Sequence, residues 1–139
     1  MKAGSSLRRK RQRGSALLEG AIISLGFIAI IIGALDFSRA AFAYSQVQWV
    51  AGDGARYAGL RGSITGTRVA TSSSIATYVK GNMIALDTTQ ATVTTTWSPN
   101  NTPGSTVTVQ VDYVFSPTLI PFLTVSMTLR GTGKSTILA

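Results

Sequence analysis

RQRGSALLEGAIISLGFIAIIIGALDFSRA, residues 11–40, decides how this chain is built. Basic residues crowd its start, and after Gly14 the chain turns apolar. From Gly20 to Leu35, sixteen residues carry no charge. Counted from Ala16, the run reaches twenty residues with Glu19 as its one charged interruption. Twenty helical residues rise roughly 30 Å, the thickness of a bilayer's hydrocarbon core. Lys2, Arg8, Arg9, Lys10, Arg11 and Arg13 precede the run, and a positive flank of this kind stays on the cytoplasmic side. The rest of the chain is then expected outside the cytoplasm.

Composition narrows the chemistry. The net charge of +8 resembles that of a nucleic-acid binder, but six of the thirteen basic residues lie in the first thirteen positions. From Ser15 onward seven basic residues face five acidic ones, a net of +2. The basic character belongs to the leader, so nucleic acid is not the expected partner. There is no Cys and no His, which removes the commonest nucleophilic, general-base and transition-metal chemistry. The acids Glu19, Asp36, Asp53, Asp87 and Asp112 are scattered singly, with no close pair for acid–base work. We therefore expect no enzyme, no catalytic residue, no metal and no cofactor.

Three readings compete for the apolar run. A secretory signal peptide needs a short apolar region and an A-x-A-like site. Ala41-Phe42-Ala43 offers such a site, but Asp36 and Arg39 intervene and the run is long. An uncut signal anchor fits the length. Neither explains Glu19. A carboxylate within a membrane helix costs about 2.5–3.5 kcal/mol at the centre and less near an interface. Glu19 could simply reach the cytoplasmic surface. A cut between Gly14 and Ser15 would instead create an ammonium at Ser15, four residues from Glu19 and on the same helix face. The two charges could then pair within one subunit or between neighbours.

Basic cluster, Gly14, small residue, apolar run and Glu19 together resemble the class III signal of type IV pilins and pseudopilins. The resemblance implies cleavage by a prepilin peptidase after Gly14, Ser15 as the new N-terminus, and Glu19 as the docking carboxylate. Many pilins begin with Phe or Met. Ser15 is neither, which sets N-methylation apart from the cut itself. The segment Leu35-Asp36-Phe37-Ser38-Arg39-Ala40, followed by Gly54-Ala55-Arg56-Tyr57-Ala58, is similar to the TadE-like family of tight-adherence (Tad/Flp) systems. That likeness covers about residues 14–62. It implies a structural subunit of a pilus, partnered by other pilins, the peptidase and an assembly platform, in the bacterial inner membrane and then in a surface filament serving adhesion.

The remaining chain reads as α+β. One helix is expected from Ser15 to about Ala58, stopped by Gly59 or Gly62 and weakened at Gly52 and Gly54. Asp36 and Arg39, three apart, are positioned to pair. Phe37, Ala41, Tyr44, Gln48, Ala51 and Ala55 recur at three and four, as on an amphipathic helix, while Trp49 and Tyr44 suit either a head core or a membrane-interface belt. A second helix is expected within Thr67–Leu86, with Gly81-Asn82 as a weak point. The period then changes to two. Ala91–Trp97 and Thr106–Phe115 read as strands, the second with Val107, Val109, Val111, Tyr113 and Phe115 on one face. Leu123–Leu129 alternates again, and Ser135–Leu138 offers an edge strand. A small antiparallel sheet of three or four strands results, covered by the helices. Gly131-Thr132-Gly133-Lys134-Ser135-Thr136 contains the tail of a phosphate loop, but Thr128 stands where the first glycine belongs and too few residues follow for a helix.

The expected organisation is a leader at 1–14, a membrane or filament-core helix at 15–35, its extracytoplasmic continuation at 36–61 and a small head at 62–139. The head is near the size at which a core is barely sufficient, so it should need the long helix. Two rival functions remain at this level. One is an uncleaved membrane-anchored binding module. The other is a DNA-binding pilin using Arg56, Arg61, Arg68 and Lys80.

Overall fold

The computed structural model describes residues 4–63, 69–118 and 125–138, with side chains of the first helix described from Ser15 onward. Helix α1 spans Gly4–Arg61 and α2 spans Ser72–Gly81; strands β1 (Ala91–Ser98), β2 (Thr106–Phe115) and β3 (Met127–Thr136) follow. The sheet is antiparallel throughout, in the order β1-β2-β3. This is the α+β arrangement expected from the sequence.

Helix α1 runs unbroken through Gly52, Gly54 and Gly59. It ends one turn later than Ala58, where Gly62 takes a positive φ of 39° and donates its N–H to the Ala58 carbonyl at 3.0 Å. That is the left-handed cap a glycine enters without steric cost. Helix α2 is shorter than the expected Thr67–Leu86. Thr71 and Ser74 close a reciprocal capping box, side chain to backbone in both directions, at 3.1 and 3.0 Å. The helix stops at the Gly81-Asn82 weak point.

Of the residues that recur at three and four on α1, Ala51 and Ala55 are buried and the others are not. Ala43, Val47, Val50, Ala51, Ala55 and Ala58 are buried, whereas Phe37, Ala41 and Tyr44 are exposed and Gln48 is half-exposed. Small residues won the core side because the sheet comes very near. A Cβ on Gly131 would run into the Val47 carbonyl oxygen, and one on Gly133 into that of Ala51. Glycine inside a strand marks such an approach of another backbone. Successive contacts at Val47, Ala51 and Gly59 show β3 running alongside α1 in the same direction.

This contact also corrects the strand boundaries. The expected pieces at Leu123–Leu129 and Ser135–Leu138 are one strand, β3, passing straight through the Gly131–Thr136 motif. Leu123 lies outside the described residues. The motif is therefore neither loop nor helix start. Ile137 continues the pairing by exchanging bonds with Gly104 and Ser105 at 2.8 Å each. The outer edge of β3 is closed by Gln48. Its carboxamide donates to the Arg130 carbonyl at 3.3 Å and accepts the Thr132 N–H at 3.4 Å, standing in for a strand neighbour.

Strands β1 and β2 follow the alternation closely. Val107, Val109, Val111, Tyr113 and Phe115 all face the core, with Ile75 and Val79 of α2 and the small residues of α1. The opposite sheet face is open and polar. There Arg130 grips Asp112 with Nε at 2.6 Å and Nη2 at 3.3 Å, and Gln110 adds a bond at 2.8 Å.

Two outcomes follow from this packing. Gly133→Ala forces backbone against backbone and should cost about 3 kcal/mol, the upper end for overpacking, while Thr132→Ala on the open face should stay within about 0.5 kcal/mol; denaturant unfolding of the detergent-solubilised chain compares them. The Arg130 guanidinium lowers the Asp112 pKa, helped by Gln110 and opposed by burial. Asp112 therefore contributes stability above its unfolded pKa of about 3.9, and that contribution is lost as pH falls through the lowered folded value. Carbon-detected NMR titration should place Asp112 below the ordinary range, and Arg130→Gln should move it back up.

Candidate functional site

The apolar helix is the feature with no use inside the fold. From Ser15 to Leu35 nearly every side chain is exposed, Leu17 at 76 % and Ile30 at 71 % among them. The Ser15–Arg61 stretch contains a window of mean hydropathy 2.3, none of it buried, and is long and apolar enough to cross a membrane. Three hydroxyls along it are satisfied by the helix itself. Ser24, Ser38 and Ser45 each donate to the carbonyl four residues earlier, at 2.8, 2.8 and 3.0 Å. A helix in lipid has to satisfy its polar groups in this way. Glu19 is the one charged residue within the apolar run. It is exposed, and among the described residues no hydrogen bond or ion pair reaches it. Gly14 and Ser15 lie one helical turn before it, within α1.

Directly after the apolar run sits the first joint to the head. Asp36 is only 5 % exposed, and the expected pair with Arg39 is present at 3.1 Å. The same Nη1 of Arg39 also donates to Thr118, just past the end of β2. The Arg39 guanidinium lies 5.9 Å from the centre of the Phe115 ring. Of these three interactions, the pair with Asp36 lies within α1, and those with Thr118 and Phe115 bind the helix to the base of the sheet. Phe37, beside them in sequence, points away and is 76 % exposed.

A second joint lies about five turns along α1. Gly54 faces α2, and a Cβ there would sit 2.5 Å from a Val79 methyl carbon. Tyr57 stacks on Tyr78 with centroids 4.1 Å apart and planes 18° apart. Arg61 covers the ring of Tyr57 at 4.2 Å. The Tyr78 hydroxyl donates to Asp53 at 2.8 Å. That hydrogen bond, then burial, raises the Tyr78 pKa above its ordinary value. Arg56 is exposed. Of the basic residues considered for nucleic acid, Arg61 is thus engaged on Tyr57, Lys80 is half-buried and Arg68 lies outside the described residues.

The two motifs, Asp36–Ala40 and Gly54–Ala58, thus fasten α1 to the head in addition to its contact with β3. Sequence reasoning paired Asp36 with Arg39; it singled out Gly54, Arg56 and Tyr57 only as a shared motif, with Gly54 as a weak point of the helix. It missed Thr118, which is 79 residues from Arg39 and carries no local signal. It also missed Asp53 and Tyr78, although Asp53 and Tyr57, four apart, share a helix face. Among the described residues, no group of three or more His, Cys, Asp or Glu could hold a metal ion.

Residues 14–56 match the family model described as TadE-like protein. Over this segment the chain is similar to that family. The match begins at Gly14 and takes in Glu19, the apolar run, the Asp36–Arg39 joint and Gly54. No curated protein and no solved structure matches the chain significantly. The TadE-like segment thus ends inside α1, and the fold of the head stands on the structure alone.

The joints can be tested. Arg39→Leu removes the cation that serves both Asp36 and Thr118. Leaving a buried partner undersatisfied costs about 1–3 kcal/mol, reduced here because the guanidinium is half in water. We expect a loss of about 1–2 kcal/mol in unfolding free energy, with Arg56→Leu near zero as the exposed control.

Proposed function

We propose that this chain is a pilin-like structural subunit of a Tad-type pilus, cut by a prepilin peptidase after Gly14 and assembled through its N-terminal helix. The supporting observation is Glu19, an exposed carboxylate without a described partner on an otherwise apolar and exposed helix, within a TadE-like match that begins at Gly14. A lone charge there is costly in lipid, and a cationic partner relieves the cost. Cleavage would supply one, the Ser15 ammonium, on its own chain or on a neighbour. Residues 15–35 would hold the subunit in the inner membrane before assembly, with the sheet and α2 outside the cytoplasm. In the filament the same residues would pack against other pilins, hiding the apolar surface from water. Surface adhesion would be the work of the assembled fibre. No reaction is assigned to the subunit.

The test is the N-terminus of the protein recovered from membranes, with and without a co-expressed prepilin peptidase. We expect the chain to begin at Ser15 only when the peptidase is present. Glu19→Ala should leave the cut intact and abolish incorporation into filaments. An uncut chain under both conditions, with Glu19→Ala fully tolerated, would instead identify an anchored binding module. A chain beginning at Tyr44 would identify a secreted one.

A further inference from the structure

Exposed aliphatic side chains on the head gather at one end. Ile84, Val114, Val125 and Met127 are all exposed, with Leu138 the outlier at the opposite end beside Gly59. The height of that end along α1 follows from the strand contact. Gly131 lies against Val47, and β3 descends from it to Met127 in the direction of the apolar run. Four strand residues cover about 13 Å, equal to about nine residues of helix, which brings Met127 level with about Ser38. The observed geometry agrees. Arg39 lies over Phe115, and Phe115 is the register partner of Met127. The base of the head is therefore level with Asp36–Arg39, immediately past Leu35, where the apolar run ends.

A cleft of about 470 Å³ opens at this level, between Leu35 and Phe42 of α1 and Leu86 and Phe115 of the head. Its lining is mainly apolar, and Arg39 forms part of its wall. The Nη1 of Arg39 serves Asp36 and Thr118, while its Nε and Nη2 make no hydrogen bond among the described residues. Apolar cleft, aliphatic rim and a cation with free donors thus occupy one plane, at the end of a span-length helix.

We propose that the base of the head binds phospholipid of the leaflet from which α1 emerges. The rim of Ile84, Val114, Val125 and Met127 lies at the boundary between headgroups and acyl chains, the cleft receives part of an acyl chain, and Arg39 faces the phosphate. Apolar surfaces held at a bilayer enter this boundary by about 5–10 Å, and a guanidinium is suited to phosphate oxygens. Continuity with the apolar run selects lipid as the occupant: a bilayer that covers residues 15–35 has its surface at the height of the rim. The inference rests on those residues spanning the membrane. Its consequence is a second hold on the lipid, separate from the helix, that a subunit has to break on leaving the membrane.

The chain has no Cys, so single cysteines can be labelled cleanly. Full-length Ile84→Cys, Val125→Cys, Thr136→Cys and Leu25→Cys variants, each carrying an environment-sensitive fluorophore, go into phosphatidylethanolamine–phosphatidylglycerol vesicles. Nitroxide-labelled lipids and aqueous iodide serve as the two quenchers. We expect the Ile84 and Val125 labels to be blue-shifted and quenched by headgroup-region nitroxides. The Thr136 label should be quenched by iodide alone, and the Leu25 label by deep nitroxides. If Leu25 is deep while Ile84 and Val125 behave like Thr136, the span stands and the lipid contact is overturned. If Ile84 and Val125 are shielded from both quenchers, a second copy covers the rim and the proposal is equally overturned. If Leu25 is accessible to iodide, the membrane reading falls and takes this inference with it.

Discussion

The approach of the α1 backbone to β3 is the constraint on which the rest of the structure depends. It requires Gly131 and Gly133 on the strand and a run of Ala, Val and Gly on the helix. With the two backbones nearly touching, β3 cannot turn its inner face anywhere but onto α1. Strand β2 is then held beside it under the same helix, and β1 is left for α2 to cover. A sheet with one apolar face needs such a lid, and here the lid is the continuation of the long apolar helix. Among the described residues, the core of the head is shared with α1. Ala43, Val47, Val50, Ala51, Ala55 and Ala58 are as much a part of that core as Val107, Val109 and Val111.

That economy explains what could be read from the chain and what could not. The alternation of β2 is legible because each apolar side chain needs the core and each polar one water. Strand β3 is not, because its contact is made by the absence of side chains, and paired glycines read as a break. The periodicity of α1 shows only part of its buried face for the same reason. Aromatic residues at Phe37 and Tyr44 have the stronger hydrophobic signal, yet a large ring between α1 and β3 would hold the two backbones apart. The pattern records affinity for apolar surroundings and says nothing of how near a neighbour must come.

At the candidate site, local pairs were legible and distant ones were not. Asp36 and Arg39 pair as their spacing implies, but their link to Thr118 is made by the fold. The Gly54–Tyr57 segment similarly shows its purpose only once α2 supplies Val79 and Tyr78. Both motifs fasten the helix to the head, one at its base and one further up. This gives a physical reason for polar and small residues at those positions that is independent of any assembly partner. Glu19 is different, since among the described residues nothing in the fold uses it.

Helix α1 and strand β3 run side by side in the same direction, which sets how the molecule answers to force. A pull on the head along the helix axis loads the contacts at Val47, Ala51 and Gly59 together, in shear. Contacts loaded in parallel share the tension, whereas contacts at right angles to a pull give way in succession, like a zip. The cation at Arg39 and the Tyr57–Tyr78 stack lie at different heights along the same axis and add to the same resistance. A chain of this design transmits tension between its head and its helix as a lap joint does.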